Sequence, residues 1–453
     1  MGTRLRLALV ASGLFLAGCG DPYPLSYADN ERMAVDLKDK PKLQEAVRKA
    51  IAGLFGDNPK EMKVPKGAGL PLGGRRLAGT YVEPGAKNAT LLRLEKLDPE
   101  TWRTVVNPKT GKGDPTVGLG GYALYRHHCL HCHGVSGDGA GPTSAFLYPR
   151  PRDYRPGLFK FTSTPSGAKP TRLDLRKTIL YGLHGTSMPS FESTLTPEQI
   201  EQVIDYVVFL SMRGETELNL IDEATVADVN DANPLPAERA QEIAVSVFDK
   251  WKQADGQALD PPTRRTALTP ESIASGRELF LGRTSEKLVC TTCHGPLGLG
   301  DGDQWIDESL TYEVVFGRED PDAIMKERVY HGKDPATLDK ATRDRKEAEL
   351  KNLHDLWTKS LDNWKQPLRP ANLTRGVYKG GRRPLDLYWR VANGITGTPM
   401  PGHGQAAKPE RIWDVVNFLM ALPYEPALLR DAPPAPEAAT KVAQRATREV
   451  STP

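Results

Sequence analysis

Two short stretches, Cys129-Leu130-His131-Cys132-His133 and Cys290-Thr291-Thr292-Cys293-His294, constrain this chain more than anything else in it. Both read C-x-x-C-H, the attachment sequence of a covalent c-type haem. The chemistry explains the spacing. Two thiols add across the vinyl groups, and the histidine beside the second lies beneath the iron as its proximal ligand. From the 5 cysteines and 9 histidines in 453 residues, one chance match is expected about once in a thousand such chains. A redox dithiol needs neither the histidine nor a second copy, and a shared four-cysteine zinc site leaves both histidines unexplained. Two covalent haems follow, on Cys129 and Cys132 and on Cys290 and Cys293, with His133 and His294 as iron ligands. His127, His128 and His131 crowd the first motif as bystanders.

The flanks of the two motifs are copies of one another. Arg150-Pro151-Arg152-Asp153-Tyr154 parallels Arg369-Pro370-Ala371-Asn372-Leu373, and Gly157-Leu158-Phe159-Lys160 parallels Gly376-Val377-Tyr378-Lys379. Gly185-Thr186-Ser187-Met188-Pro189 parallels Gly397-Thr398-Pro399-Met400-Pro401. A helix is predicted after each Met-Pro. Thr196-Pro197-Glu198-Gln199 offers an N-cap, a first-turn proline and a capping-box glutamine. Its apolar stripe is Ile200, Val203, Ile204, Val207 and Val208, matched 212 residues later by Ile412, Val415, Val416, Leu419 and Met420. Met188 and Met400 are also 212 apart, so this register selects them as the sixth iron ligands. Met420 falls in an apolar stripe, Met212 lies beyond one, and Met325 has no counterpart. His184 and His403 sit near the loops at non-equivalent positions.

Together these features resemble the class I cytochromes c, here as a tandem dihaem member. The family carries a Gly-x-x-x-aromatic helix before C-x-x-C-H, a later proline, a methionine loop and a final helix bearing an aromatic. Gly121 and Tyr125, then Gly276 and Phe280, precede the motifs, while Tyr206 and Phe418 match the final aromatic. The resemblance implies a mainly α fold of two small haem-wrapping domains, over 115–213 and 268–424, with long irregular connections. It also implies that the carbonyls of Pro151 and Pro370 accept a hydrogen bond from the proximal histidines, and that Lys160, Lys379 or Arg382 faces a haem propionate.

Around these domains the chain is harder to read. Arg4 and Arg6 followed by an apolar run ending Leu16-Ala17-Gly18-Cys19 form a signal too short to span a bilayer, and resemble a bacterial lipobox with an acylated Cys19. Residues 1–19 are thus a lipoprotein signal, and the body faces the periplasm on a lipid anchor. Segment 20–114 is an extension with one amphipathic stretch, 41–55, and an irregular one, 64–85. Segment 214–267 is an acidic linker plus a helix near 236–253; its first twenty residues hold six acidic side chains and no basic one. The second domain carries an insertion at about 303–368. Residues 318–355 hold ten acidic and nine basic side chains, so it reads as a solvated helical insertion pinned by Trp305, Trp357 and Trp364, with His331 as an alternative iron ligand. The tail 425–453 is Ala/Pro-rich and disordered.

Composition narrows the function. At 39% hydrophobic and 26% charged, the chain is neither a disordered polymer nor a polytopic membrane protein. Its net charge of +3 falls to +1 without Arg4 and Arg6, which argues against tracking nucleic-acid phosphates. Two irons each held by His and Met have no vacant position, so the expected role is electron transfer between redox partners of a respiratory chain rather than catalysis. The alternative is a peroxidase-like dihaem enzyme with an open coordination site at the second haem.

Overall fold

The computed structural model describes residues 26–59, 62–78, 120–226, 235–286, 288–302, 305–306, 308–317 and 320–429. Cys19 with its signal, residues 227–234 and the tail beyond 429 lie outside the described residues. The fold is mainly α-helical. Among the described residues the extended pairing is confined to one isolated bridge, Leu361 with Pro367, and no helix is long and apolar enough to cross a membrane.

The N-terminal segment forms α1 (Glu31–Asp36), α2 (Pro41–Phe55) and a single turn, α3 (Arg75–Ala78). Alpha-helical periodicity in 41–55 puts Leu43, Val47, Ile51 and Phe55 on one buried face. That face enters the core of the first haem-motif unit, with Phe55 edge-on to Phe209 at 5.7 Å and to Phe248 at 6.1 Å. Each such aromatic or aliphatic burial contributes about 1.5–3 kcal/mol.

The first unit then runs through α4 (Gly121–His128), α5 (Leu130–His133), α6 (Arg172–Tyr181) and α7 (Pro197–Val226). The expected capping box forms: Gln199 N–H donates to Thr196 Oγ1 at 3.2 Å, and Thr196 N–H to Gln199 Oε1 at 2.8 Å. The predicted stripe is buried. The boundary at 213 is corrected, because α7 continues without interruption for 30 residues, about 45 Å at 1.5 Å per residue. The first turns of the supposed acidic linker are therefore core, not solvated chain. Glu215 is paired with Lys169 at 2.7 Å and accepts from the Trp251 indole at 3.3 Å. Glu217 is 2% exposed, lies 3.4 Å from Arg213 and accepts from Asn30 N–H at 2.9 Å. Lys169, remote in sequence, and Arg213, one turn back on α7, match their charges, which lets an acidic stretch sit inside. Helix α8 (Ala237–Gln253) closes this core with Val247, Phe248 and Trp251.

The second unit comprises α9 (Pro270–Phe280), α10 (Thr291–His294), the insertion helices α11 (Glu308–Gly317), α12 (Pro321–Tyr330) and α13 (Lys340–Ser360), then α14 (Pro384–Asn393) and α15 (Pro409–Ala421). The insertion is helical and α13 is largely exposed, but it has a small core of its own: Ile306, Leu310, Ile324 and Met325, flanked by Trp357. Met212 is buried in the first core, and Met420 rests half-buried against the second.

The two units meet through equivalent positions. Lys177 Nζ lies 4.6 Å over the ring of Trp389, 212 residues later. Phe161 lies against Gly380, 219 residues later, the same offset as Lys160 to Lys379. Both contacts join positions that the repeat makes equivalent. Arg390 is buried at this contact, donating to the carbonyls of Thr162 at 3.1 Å and Gly380 at 3.2 Å.

Candidate haem sites

Each site begins where two helices cross. A Cβ on Gly121 would lie 2.1 Å from the carbonyl oxygen of Gln202 on α7, and one on Gly276 would lie 2.1 Å from that of Asp414 on α15. Only glycine permits that approach, and it sets the end of each helix beside its C-x-x-C-H turn. Tyr125 and Tyr206 pack with centroids 5.0 Å apart, and Phe280 and Phe418 at 5.3 Å.

The cysteine pairs are separate, Cys129 against the first core and Cys290 against the second, and all four thiols are free. Burial pushes the Cys129 and Cys290 thiols up to about 12. Desolvation lowers His133 to about 4 and moves His294 in the same direction, so both imidazoles are neutral at pH 7. A neutral ring is the form that ligates a metal. In each ring Nδ1 meets a backbone carbonyl, Arg152 O at 3.2 Å for His133 and Ala371 O at 3.0 Å for His294. Nδ1 is thereby engaged, which leaves Nε2 as the nitrogen able to ligate a metal.

These acceptors correct the expectation that Pro151 and Pro370 take that bond. Both lie one residue earlier, and successive carbonyls of an extended segment point to opposite sides. The proline carbonyls face glycines instead: a Cβ on Gly139 (φ 71°) would lie 2.5 Å from Pro151 O, and one on Gly300 (φ 79°) 2.4 Å from Pro370 O. The four glycines after each motif, 134, 137, 139 and 141, then 295, 298, 300 and 302, share one spacing. Their recurrence was a readable signal of the loop that lets the proximal segment close over the histidine.

The methionine loops are superposable in their hydrogen bonds. Met188 N–H donates to Thr186 Oγ1 at 3.1 Å and its carbonyl accepts from Leu183 N–H at 3.1 Å. Met400 N–H donates to Thr398 Oγ1 at 3.2 Å and its carbonyl accepts from Ile395 N–H at 3.1 Å. Both side chains are half-buried. The other candidates are elsewhere. His331 is exposed at the C-cap of α12, and His184 is exposed. Arg382 donates to Tyr424 Oη at 2.9 Å, while Lys160 pairs with Asp362 at 2.8 Å. Burial also lowers Lys379.

Residues 118–207, from just before Gly121 to the middle of α7, match the family model described as cytochrome C oxidase, cbb3-type, subunit III. This stretch is similar to a cytochrome c domain. Such a domain carries haem c covalently and works in electron transfer. The free thiols and the neutral histidine with Nδ1 engaged suit attachment of haem c, and the half-buried methionine loop offers a further donor. No curated protein matches the chain. Among solved structures, the reducing HAO-like protein complex Kustc0457/Kustc0458 of Kuenenia stuttgartiensis is similar at 24% identity over 67% of this chain and 94% of that one, with a TM-score of 0.41. That superposition is too loose to carry an argument.

Proposed function

We propose that the protein is a dihaem c-type cytochrome, tethered by a lipid on Cys19 at the periplasmic side of a bacterial membrane, that passes electrons between respiratory-chain partners. The observation behind the second haem is the repetition of one donor set. Cys290, Cys293, His294 and Met400 stand in the same local hydrogen-bonding frame as Cys129, Cys132, His133 and Met188. When bound, haem would supply a one-electron iron couple, and His133, Met188, His294 and Met400 would hold the two irons. The carbonyls of Arg152 and Ala371 hold each imidazole, and the Thr186 and Thr398 hydroxyls hold each methionine backbone. The family whose model matches the first domain is by its own description part of an oxidase, which supports a respiratory setting.

Intact mass of the mature protein should exceed the polypeptide by two haem masses. The oxidised protein should show the weak near-infrared thioether–iron band at an intensity for two sites. Met188→Ala and Met400→Ala should each remove about half of it and lower one potential, since thioether sulfur favours ferrous iron. Rapid carbon monoxide binding to the reduced wild type, with Met400→Ala spectrally silent, would instead place a peroxidase-like open iron in the second unit. Cys19→Ser should release the protein from membranes with its spectrum unchanged.

A further inference from the structure

The insertion ends in a tight turn, 362–367, that touches both candidate sites at once. The turn is built before it reaches either. Asp362 N–H donates to Gln366 O at 2.9 Å, and Asp362 Oδ1 accepts from the N–H groups of Trp364 and Gln366, both at 2.9 Å. Its other carboxylate oxygen reaches into the first unit, 2.8 Å from Lys160 Nζ and 3.4 Å from Arg152 Nη1, with the side chain 1% exposed.

Trp364 lies between the units. Its indole N–H donates to Asp153 O at 2.7 Å, and the Arg152 guanidinium stacks 3.7 Å from the ring centroid. Arg152 is the residue whose carbonyl holds His133. The opposite edge of the indole covers Gly397, where a Cβ would lie 2.5 Å from a ring carbon, and Asn363 N–H donates to Gly397 O at 2.9 Å. Gly397 stands three residues before Met400 in the same loop. Among the described residues no equivalent strap reaches the second unit's histidine, because the matching acceptor residue, Ala371, has only a methyl group and offers nothing to stack on or pair with.

We propose that the 362–367 turn is a strap that ties the His133 support of the first site to the Met400 loop of the second, with Asp362 and Trp364 as positioning residues that make the two irons respond to one another. The proposal rests on the reading that both sites hold haem with His and Met ligands. The strength of the Nδ1–H bond tunes the proximal imidazole as a donor, and the packing of the loop tunes the thioether. One rigid turn therefore sets a parameter at each iron.

The test uses the full holoprotein and reads potentials and the near-infrared band together, with the first-haem wave assigned as the one Met188→Ala moves. Trp364→Ala, carrying two haems, should raise the first-haem potential and weaken the second site's band. Trp364→Phe keeps a ring over Gly397 but loses the indole N–H, so it should shift the first potential alone. Asp362→Asn, which leaves two buried cations with a neutral partner, should raise the first potential as well. Trp357→Ala, in the insertion's own core, should move neither. Wild-type potentials and band in Trp364→Ala, or equal shifts in Trp357→Ala, overturn the strap. A wild type with one haem, or without the second thioether band, overturns the ligand reading beneath it and is seen before any variant is made.

Discussion

The two units keep the same backbone devices and differ in what surrounds them. Both have the crossing glycine, the carbonyl on the histidine and the threonine-held methionine loop. The first adds a buried hydroxyl chain: Tyr154 donates to Tyr125 Oη at 2.7 Å, and Tyr125 donates to Gly134 O at 2.7 Å. The second has Leu373 and Phe280 at those positions. The first unit is also sealed by α1, α2 and α8, whereas the second is flanked by a largely exposed insertion. Backbone placement around the motif is thus what both copies preserve. Polarity in the surrounding core is free to diverge wherever each buried group still finds a partner.

The comparison breaks most visibly at the interior charges of the first unit. Glu215→Ala strands the buried Lys169 ammonium and should cost about 3–5 kcal/mol in urea unfolding of the first unit, leaving the second unit's transition in place. A loss below 1 kcal/mol would mean that α7 does not depend on this pair. Next come the shared crossings. Gly121→Ala and Gly276→Ala should destabilise their own units by a similar amount, about 1–3 kcal/mol, through overpacking. A response in only one unit would show that the crossings are not equivalent.

A smaller effect sharpens the difference in polarity. Tyr125→Phe should cost about 1–2 kcal/mol for the two hydrogen bonds its hydroxyl makes. Tyr154→Phe should cost less in that background than alone, as a double-mutant cycle would show. Additive losses would mean the two hydroxyls act separately. The smallest signal is in pH. Burial among Arg152 and other groups lowers Lys160 from 10.5 to about 8. The folded chain therefore gives up this proton before the unfolded chain does, so stability should rise as pH goes from 8 to 10.5. Lys160→Met should flatten that part of the stability profile.

The portions legible in the sequence are the ones fixed by neighbours along the chain. The capping box at Thr196, the stripe from Ile200 to Val208 and the 212-residue register of the methionine loops all rest on local spacing, and each recurs in the structure. What escaped reading depends on remote partners. Glu215 and Glu217 look like solvent-facing acids until Lys169, Trp251 and Asn30 are brought against them. The acceptor for His133 is Arg152 rather than Pro151 because a one-residue shift reverses the direction of a carbonyl, and composition carries no trace of it. Trp364 was expected to pin the insertion, yet no local pattern shows that it reaches across to Asp153.

The continuity of α7 bears on how the cofactor is installed. The first core takes α2 from before Cys129, α7 from after it, and Phe248 and Trp251 more than a hundred residues downstream. A nucleus with contacts so distant along the chain closes late, because loop-closure entropy must be overcome before those contacts form. During synthesis, C-x-x-C-H therefore emerges well before the helices that will bury it. The Cys129 thiol, which burial would otherwise hold protonated, and its neighbour Cys132 remain accessible for attachment in that interval. Topology thus leaves the motif open until the core closes, and the finished helix rod then closes over it.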